Sequence, residues 1–237
     1  MKTITMKFSK SWPAAAAMLV LAGTAQASLI GRDITGNAVA GGSASSVFLY
    51  DTVLNVTWLR DANANPYGLL SWIEADNWAR GLNVGGFTNW RLPTMIASPN
   101  ATYAYGGTDY GYNVRTTSGA TVYSEMASLF YDTLGNKAWK DTSGNTQFGY
   151  GLANKGDFKN LQSADYWSDL ESPQEPRAAY IFNTGFGNQY DKYKASGSYA
   201  MAVRPGDVAA SVPEPQTLAL VLLALGATGV VRRRRTR

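Results

Sequence analysis

The sequence contains neither cysteine nor histidine. A chain of 237 residues with no disulfide available must hold its fold by burial, and its 7 Trp, 14 Tyr and 8 Phe supply large rings for that purpose. The same absence removes classes of function. Thiol nucleophiles, Cys- or His-ligated metals and Ser-His-Asp triads each need a residue this chain lacks. Carboxylates, hydroxyls, Lys, Arg, Tyr and the backbone are left for chemistry.

The two ends do not read as part of the fold. Lys2, Lys7 and Lys10 precede an apolar run from Ala14 to Ala22, and Ala25-Gln26-Ala27 follows as a small-x-small site. This is the layout of a secretory signal peptide over residues 1–27, with cleavage expected after Ala27. At the other end, Val212-Pro213-Glu214-Pro215 breaks any helix, Leu218 to Val231 is almost uninterruptedly apolar, and Arg232 to Arg235 close the run. An expected short transmembrane helix over 216–231 precedes this basic tail. Fourteen apolar residues rise about 21 Å, short of a hydrocarbon core of about 30 Å. Proline motif, apolar helix and basic cluster together closely resemble the PEP-CTERM sorting signal of Gram-negative bacteria. The resemblance covers residues 212–237. It implies an exosortase-type processing enzyme acting at Pro213, Glu214 and Pro215, transient anchorage in the inner membrane, and delivery to the cell surface or exopolysaccharide matrix.

Charge is read differently once the ends are set apart. The formal net charge is +4, but residues 1–27 hold three Lys and no acid, and residues 212–237 hold five Arg and one Glu. The remainder carries 13 basic and 16 acidic residues, a net −3. A nucleic-acid partner is therefore not expected.

Hydrophobic periodicity organises the body. Residues 28–46 read as a first short strand, Leu29 to Ile34, followed by a loop from Ala38 to Ser46. Val47 to Tyr50 and Val56 to Leu59 read as a hairpin. Ser71 and Glu74 form a capping box ahead of Trp72, Ala75, Ala79 and Leu82, one helical face, with Gly85-Gly86 as the expected stop. A second helix is expected from Val122 to Leu134, ended by Gly135. Strand character returns at Tyr166 to Ser168, Ala178 to Asn183, Asn188 to Tyr193 and Tyr199 to Arg204, with Gly185-Phe186-Gly187 as a hairpin turn. Strands, two helices, long loops and strands again predict an α+β domain with a mainly antiparallel sheet. The expected domain runs over 47–207, with the sorting signal over 208–237.

A succession of motifs is similar to the DUF1566 family, the domain at the C-terminus of the Legionella collagen-like adhesin. It runs through Tyr50-Asp51, Val56 to Asn63, Trp78-Ala79, Gly85-Gly86, Trp90-Arg91-Leu92-Pro93-Thr94, Tyr166-Trp167-Ser168 and Ala202-Val203-Arg204-Pro205. The likeness covers roughly 47–206, and Trp-Arg-Leu-Pro-Thr is its most specific piece. It implies a C-type-lectin-like fold, and the adhesin member binds sulfated polysaccharides. This chain lacks the disulfides of true C-type lectins, and residues 95–165 form a long Tyr- and Gly-rich insertion. Trp58, Asp61, Trp78, Trp90, Arg91, Leu92, Pro93, Trp167, Arg204 and Pro205 carry the likeness and are expected to be structural. Arg91 is expected to pair with a carboxylate near the second helix.

Three patterns invite ligand chemistry. Asp61, Asn63 and Asn65 place oxygens at alternate positions, as at the opening of a calcium loop. An EF-hand needs Gly at the sixth place and Glu at the twelfth, where this chain has Pro66 and Trp72. A looser Ca2+ site at these three residues and an Asx turn that satisfies its own backbone are the two readings; no other cofactor is expected. Glu175-Pro176-Arg177 and Tyr166-Trp167-Ser168-Asp169 echo the calcium loop and strand of sugar-binding C-type lectins, but Arg cannot ligate a cation. Finally, Tyr103, Tyr105, Asp109, Tyr110, Tyr112 and Asn113 lie in a Gly-rich loop, where Tyr gives rigid contact area and Asn, Asp and Ser give adaptable hydrogen bonds. Such a loop suits sugars, and Lys137, Lys140, Lys155, Lys159, Lys192 and Lys194 are candidates for an anionic one. No spacing of carboxylates marks a glycosidase. The expected function is that of an exported, non-catalytic carbohydrate-binding or adhesion module with extracellular polysaccharide as partner. The alternatives are a structural matrix protein with protein partners and a carboxylate-based carbohydrate-active enzyme.

Overall fold

β-branched and aromatic runs bounded by Gly, Asn and Asp turns give this chain many short strands. The computed structural model describes residues 29–96 and 114–209. Ala27, Pro213, Glu214 and Pro215, the expected helix 216–231, and loop residues Tyr103, Tyr105, Asp109, Tyr110, Tyr112 and Asn113 lie outside them. In chain order the elements are β1 (Leu29–Arg32), β2 (Ala38–Val39), β3 (Phe48–Asp51), β4 (Val56–Leu59), α1 (Trp72–Arg80), β5 (Thr117–Ser118), β6 (Thr121–Val122), α2 (Glu125–Ser128) continuing as a π-helical turn (Leu129–Thr133), β7 (Asp165–Glu171), β8 (Ala178–Asn183), β9 (Asn188–Tyr193) and β10 (Val203–Pro205). Five strands form one sheet in the order β10-β4-β3-β1-β2, and β7-β8-β9 form another. Every pairing between these strands is antiparallel. The α+β class expected from the sequence is the class observed.

The expected β3–β4 hairpin forms with Phe48 opposite Leu59 and Leu49 opposite Trp58. Its turn closes because the Asp51 carboxylate accepts the Val53 and Leu54 N–H groups, at 2.9 and 3.2 Å. β1 pairs with β3 along its whole length, so the first short strand expected from Leu29 joins this sheet. Arg32 on β1 also reaches Asp207 beyond β10, with Nε 3.0 Å and Nη2 2.5 Å from the carboxylate oxygens. That pair ties the first strand to the last.

The central strands β3, β4 and β8 are buried on both faces, which is why they read as near-continuous apolar runs. Phe48, Leu59, Trp167, Ala179 and Ile181 enter one core with Trp90, Leu92, Ala75 and Ala79. Their strand neighbours Leu49, Trp58, Tyr166, Tyr180 and Phe182 enter the other, with Met126, Leu129, Phe130 and Tyr131. α1 therefore covers one core and the second helix the other. Large rings fill both. Phe48 stacks on Trp90 at 5.7 Å and Phe130 meets Phe182 at 5.4 Å. The indole N–H groups find carbonyl partners, Trp167 on Leu70, Trp72 on Ser168 and Trp90 on Phe87, each at 2.8 Å.

Helix boundaries differ from the sequence expectation. The Ser71–Glu74 capping box forms, with Ser71 N–H donating to Glu74 Oε2 at 2.9 Å and Glu74 N–H to Ser71 Oγ at 3.4 Å. α1 ends at Arg80, not at Gly85, because Gly81 offers no side chain to hold another turn and costs about 1 kcal/mol in a helix interior. Gly85 and Gly86, at φ 63° and 86°, instead form a two-residue hairpin turn in which Val84 and Phe87 exchange N–H···O bonds. The second helix starts three residues later than expected. Val122, in β6, pairs with Thr117 of β5, and Ser124 caps the helix by accepting the Ala127 N–H at 3.2 Å. Its last turn widens, with Leu134 N–H donating to Leu129 O. Gly135, at φ 68°, follows the turn as expected. Ala38–Val39, expected as loop, adds a short edge strand, and the strand expected over Tyr199 to Arg204 starts only at Val203 and runs to Pro205.

Candidate functional site

The Trp-Arg-Leu-Pro-Thr segment lies at the junction of α2 and β7. Arg91 Nη1 and Nη2 donate to the two Glu125 oxygens at 2.7 and 2.8 Å, a bidentate pair at the first residue of α2. Glu125 also accepts the Thr94 N–H at 2.7 Å, and Asp169 on β7 accepts the Met95 N–H at 3.2 Å. Burial disfavours the Arg91 charge, but the Glu125 hydrogen bonds and the Glu125 and Asp169 charges outweigh it and hold the guanidinium above its ordinary value. Burial raises Asp169 to about 6 against the pull of the Met95 N–H and Arg91. Leu92 and Pro93 are buried beside this cluster. The arrangement clamps loop, helix and strand together. Trp58, Trp90 and Trp167 are core residues, and Trp78 packs half-buried against the same core as Trp90. Arg204 donates to Thr88 O at 3.1 Å and its guanidinium sits 5.5 Å over the Phe87 ring. Pro205 ends β10 in register with Val56.

Asp61, Asn63 and Asn65 form a chain of local turns. Asp61 Oδ1 accepts the Asn63 N–H at 3.0 Å, and Asn65 Oδ1 accepts the Tyr67 N–H at 3.0 Å. Asn160 Nδ2 donates to both Asp61 oxygens, at 3.0 and 2.9 Å. Among the described residues no group of three or more His, Cys, Asp or Glu side chains is placed to hold a metal ion. These bonds have the pattern of Asx turns.

A different surface has the character of a binding site. The last residue of β9, Tyr193, is 58 % exposed and stands between two open grooves. One, of about 720 Å³, is lined by Ser71, Ile73, Glu74, Arg177, Lys194 and Ala195 as well as Tyr193. The other, of about 390 Å³, is lined by Glu175, Ala178, Asp191, Lys192, Tyr193 and Ser196. The larger volume is within the usual range for a small-molecule site. The lining of the larger groove mixes apolar Ile73, Ala195 and the Tyr193 ring with polar Ser71, Glu74, Arg177 and Lys194. Arg177 lies 5.6 Å over the Tyr193 ring while its Nε donates to Glu175 Oε1 at 3.0 Å. Lys194 sits 5.0 Å over Trp72, pairs with Glu171 at 2.8 Å and donates to Pro176 O at 2.8 Å.

The Glu175-Pro176-Arg177 motif thus lands on the groove wall. Its Arg is held by its own Glu, where a calcium loop would have its next oxygen ligand. The carboxylates here are engaged. Glu74 accepts from the Ser71 hydroxyl and N–H, which lower its pKa. Glu175 is likewise lowered by the Arg177 side chain and N–H. Asp191 accepts the Ser172 hydroxyl at 2.9 Å. Of the six candidate lysines, Lys192 is committed to Asp165 at 2.9 Å and Lys194 to Glu171, and both line the grooves. Lys140 bonds Thr146 at 2.8 Å on a separate surface. Sequence reasoning gave Tyr193 only as the end of a strand. Its neighbours come from α1, the β7–β8 turn and β9, and no local spacing brings those together.

Comparison with protein families matches the PEP-CTERM protein-sorting motif to residues 211–235. That match carries the sorting conclusion: the chain is an exported protein, processed by an exosortase-type enzyme and sorted to the cell envelope or surface. A search among curated proteins gives no match. Among the described residues no helix is long and apolar enough to cross a membrane; the sorting tail is outside them.

Proposed function

We propose that the exported body is a non-catalytic carbohydrate-binding or adhesion module that holds extracellular polysaccharide through the Tyr193 grooves. The single observation that carries this reading is an exposed ring, beneath the Arg177 guanidinium, between grooves rimmed by hydrogen-bonding side chains. A pyranose ring presents C–H groups on its face and hydroxyls at its edge. The Tyr193 ring matches the face, and Ser71, Ser196, Arg177 and Lys194 match the edge. The likeness to the DUF1566 family and its C-type-lectin-like fold supports the same reading. The sorting motif supports it too, because it directs the chain to where such polymers are found. The delivery route belongs to the proposal: a signal peptide cleaved after Ala27, passage through the envelope of a Gram-negative cell, and transient anchorage by residues 216–231.

Two of the groove carboxylates, Glu74 and Glu175, support binding over catalysis. A glycosidase needs one carboxyl held protonated near neutrality. Glu74 and Glu175 are instead pushed toward the ionised form by their hydrogen bonds. A glycan array with the full-length protein tests the reading. Retention on a defined set of polysaccharides, reduced about tenfold in affinity by Tyr193→Ala, is expected. Absence of retention on any glycan, with folding confirmed by circular dichroism, would remove it, and concentration-dependent self-association in its place would favour a structural matrix protein.

A further inference from the structure

A second aromatic surface lies at the other end of β9. The loop over 137–151 doubles back on itself, with Lys137 bridged to Gly151 and Lys140 to Thr146. Its tip is closed by the Asp141 carboxylate, which accepts the Ser143 and Asn145 N–H groups at 2.9 and 2.8 Å. The loop docks on the β8–β9 turn through the Trp139 N–H, which donates to Phe186 O at 2.8 Å. Three rings are thereby gathered from two loops. Tyr150 and Phe186 lie nearly parallel, 15° apart with centroids at 6.2 Å, and Trp139 tilts against them at 6.4 and 5.7 Å.

The support beneath is rigid. Gly187, at φ 68°, has no room for a Cβ, because the Tyr131 hydroxyl, Ala138 Cα and Phe130 Cε1 already fill that space. Tyr131 also donates to Gly187 O. The turn that presents Phe186 is thus anchored in the core rather than left to its own conformational freedom, as a preorganised site requires.

The rings are open to water all the same. Tyr150 is 42 % and Phe186 44 % exposed, and Phe148, two residues from Tyr150, is 99 % exposed. Apolar rings gathered at a rigid surface mark an interaction site. With Phe148 included, the free area is on the order of 400 Å², about half of what each partner buries in a stable protein interface. That is too little for a lasting dimer and suits the face of a sugar chain. Lys140, 4.6 Å over Trp139, and Gln147, whose backbone N–H donates to Trp139 O at 2.9 Å, put polar groups near the rings.

We propose that Trp139, Tyr150 and Phe186 form a second carbohydrate site, which takes the C–H faces of pyranose rings, so that the body cross-links polysaccharide chains. The ligand class rests on the function proposed above; the site itself rests on the ring geometry. Phe186 precedes β9 in the turn and Tyr193 ends it, so the length of the strand, roughly 17 Å at about 3.3 Å per residue, separates the two sites. Each site can therefore engage its own chain, and two linked contacts gain avidity on a polymer that neither has alone.

Affinity electrophoresis of the full-length protein through gels containing hydroxyethylcellulose, xylan or alginate tests this, with a turbidity assay for cross-linking on the polymer that retards it. Tyr150→Ala, Phe186→Ala and Tyr193→Ala are compared, with thermal melts to confirm folding. Each variant is expected to bind about tenfold more weakly than wild type, to keep the other site's binding, and to lose cross-linking. Loss of all binding in Tyr193→Ala, with Tyr150→Ala and Phe186→Ala unchanged, overturns the second site and leaves the first. No retardation of the wild-type protein overturns both. Self-association abolished by Phe186→Ala, without retardation, assigns the rings to a second copy and also overturns the proposal.

Discussion

Replacing Glu125 by Ala should destabilise this fold strongly. The carboxylate accepts two guanidinium bonds from Arg91 at 2.7 and 2.8 Å and the Thr94 N–H at 2.7 Å. Its side chain is 6 % exposed and that of Arg91 22 %. Truncation leaves a half-buried cation and a backbone donor without their acceptor. Removing one partner of a buried pair costs about 3–5 kcal/mol. Water can reach part of Arg91, which places the loss near about 3 kcal/mol. For a domain of this size that corresponds to a fall in Tm of about 6–12 °C. Urea unfolding and calorimetry of the full-length protein measure both numbers. A double variant, Arg91→Met with Glu125→Leu, replaces the pair by apolar side chains and should recover at least half of the loss, since such swaps are close to neutral. A Glu125→Ala loss below about 1 kcal/mol, or a double variant as costly as the two single changes together, would refute the clamp.

Three further outcomes follow from the same structure. Asp169 is raised from 3.8 to about 6 chiefly by burial, so the folded state keeps a proton that the unfolded chain has released between about pH 4 and 6. Its contribution to stability therefore falls as pH rises through that window. Asp169→Asn should be the more stable protein at pH 7.5, by on the order of 1–2 kcal/mol. That gap should close toward pH 4, and urea midpoints at the two pH values that show it widening instead would contradict the assignment. Gly187→Ala should lose about 2–4 kcal/mol in a thermal melt, from a strained φ and a crowded Cβ together; a neutral result would show that the β8–β9 turn can yield. Replacing Pro213 and Pro215 by Ala should block processing in the producing cell, so that the mass of the exported protein keeps residues 216–237; normal trimming would place the recognition elsewhere.

Much of the fold was legible because local signals agreed. The Ser71–Glu74 box, the β3–β4 hairpin and the limits of β8 and β9 each follow from spacing and turn residues alone. Helix ends were not legible, because a neighbouring element decided them. Val122 has the right period to extend the second helix, but Thr117 across the Gly119 turn takes it into a strand. Gly85-Gly86 reads equally as a helix stop or a hairpin turn, and Gly81 had already ended the helix. The Arg91–Glu125 pair spans 34 residues and its identity could be read only as a carboxylate near the second helix. The two aromatic surfaces were invisible for a related reason. Trp139, Tyr150 and Phe186 meet because a loop docks on a distant turn, and Tyr193 gains its grooves from α1 and from the β7–β8 turn. The sorting tail was read from sequence because its three parts act in linear order.

Hydrogen–deuterium exchange of the full-length protein, alone and saturated with the strongest glycan-array ligand, tests most directly whether Tyr193 sits at a carbohydrate site. Binding there predicts slowed exchange in residues 71–74, 175–178 and 191–196, lost in Tyr193→Ala. Protection confined to segments away from these, and unchanged by Tyr193→Ala, would contradict it.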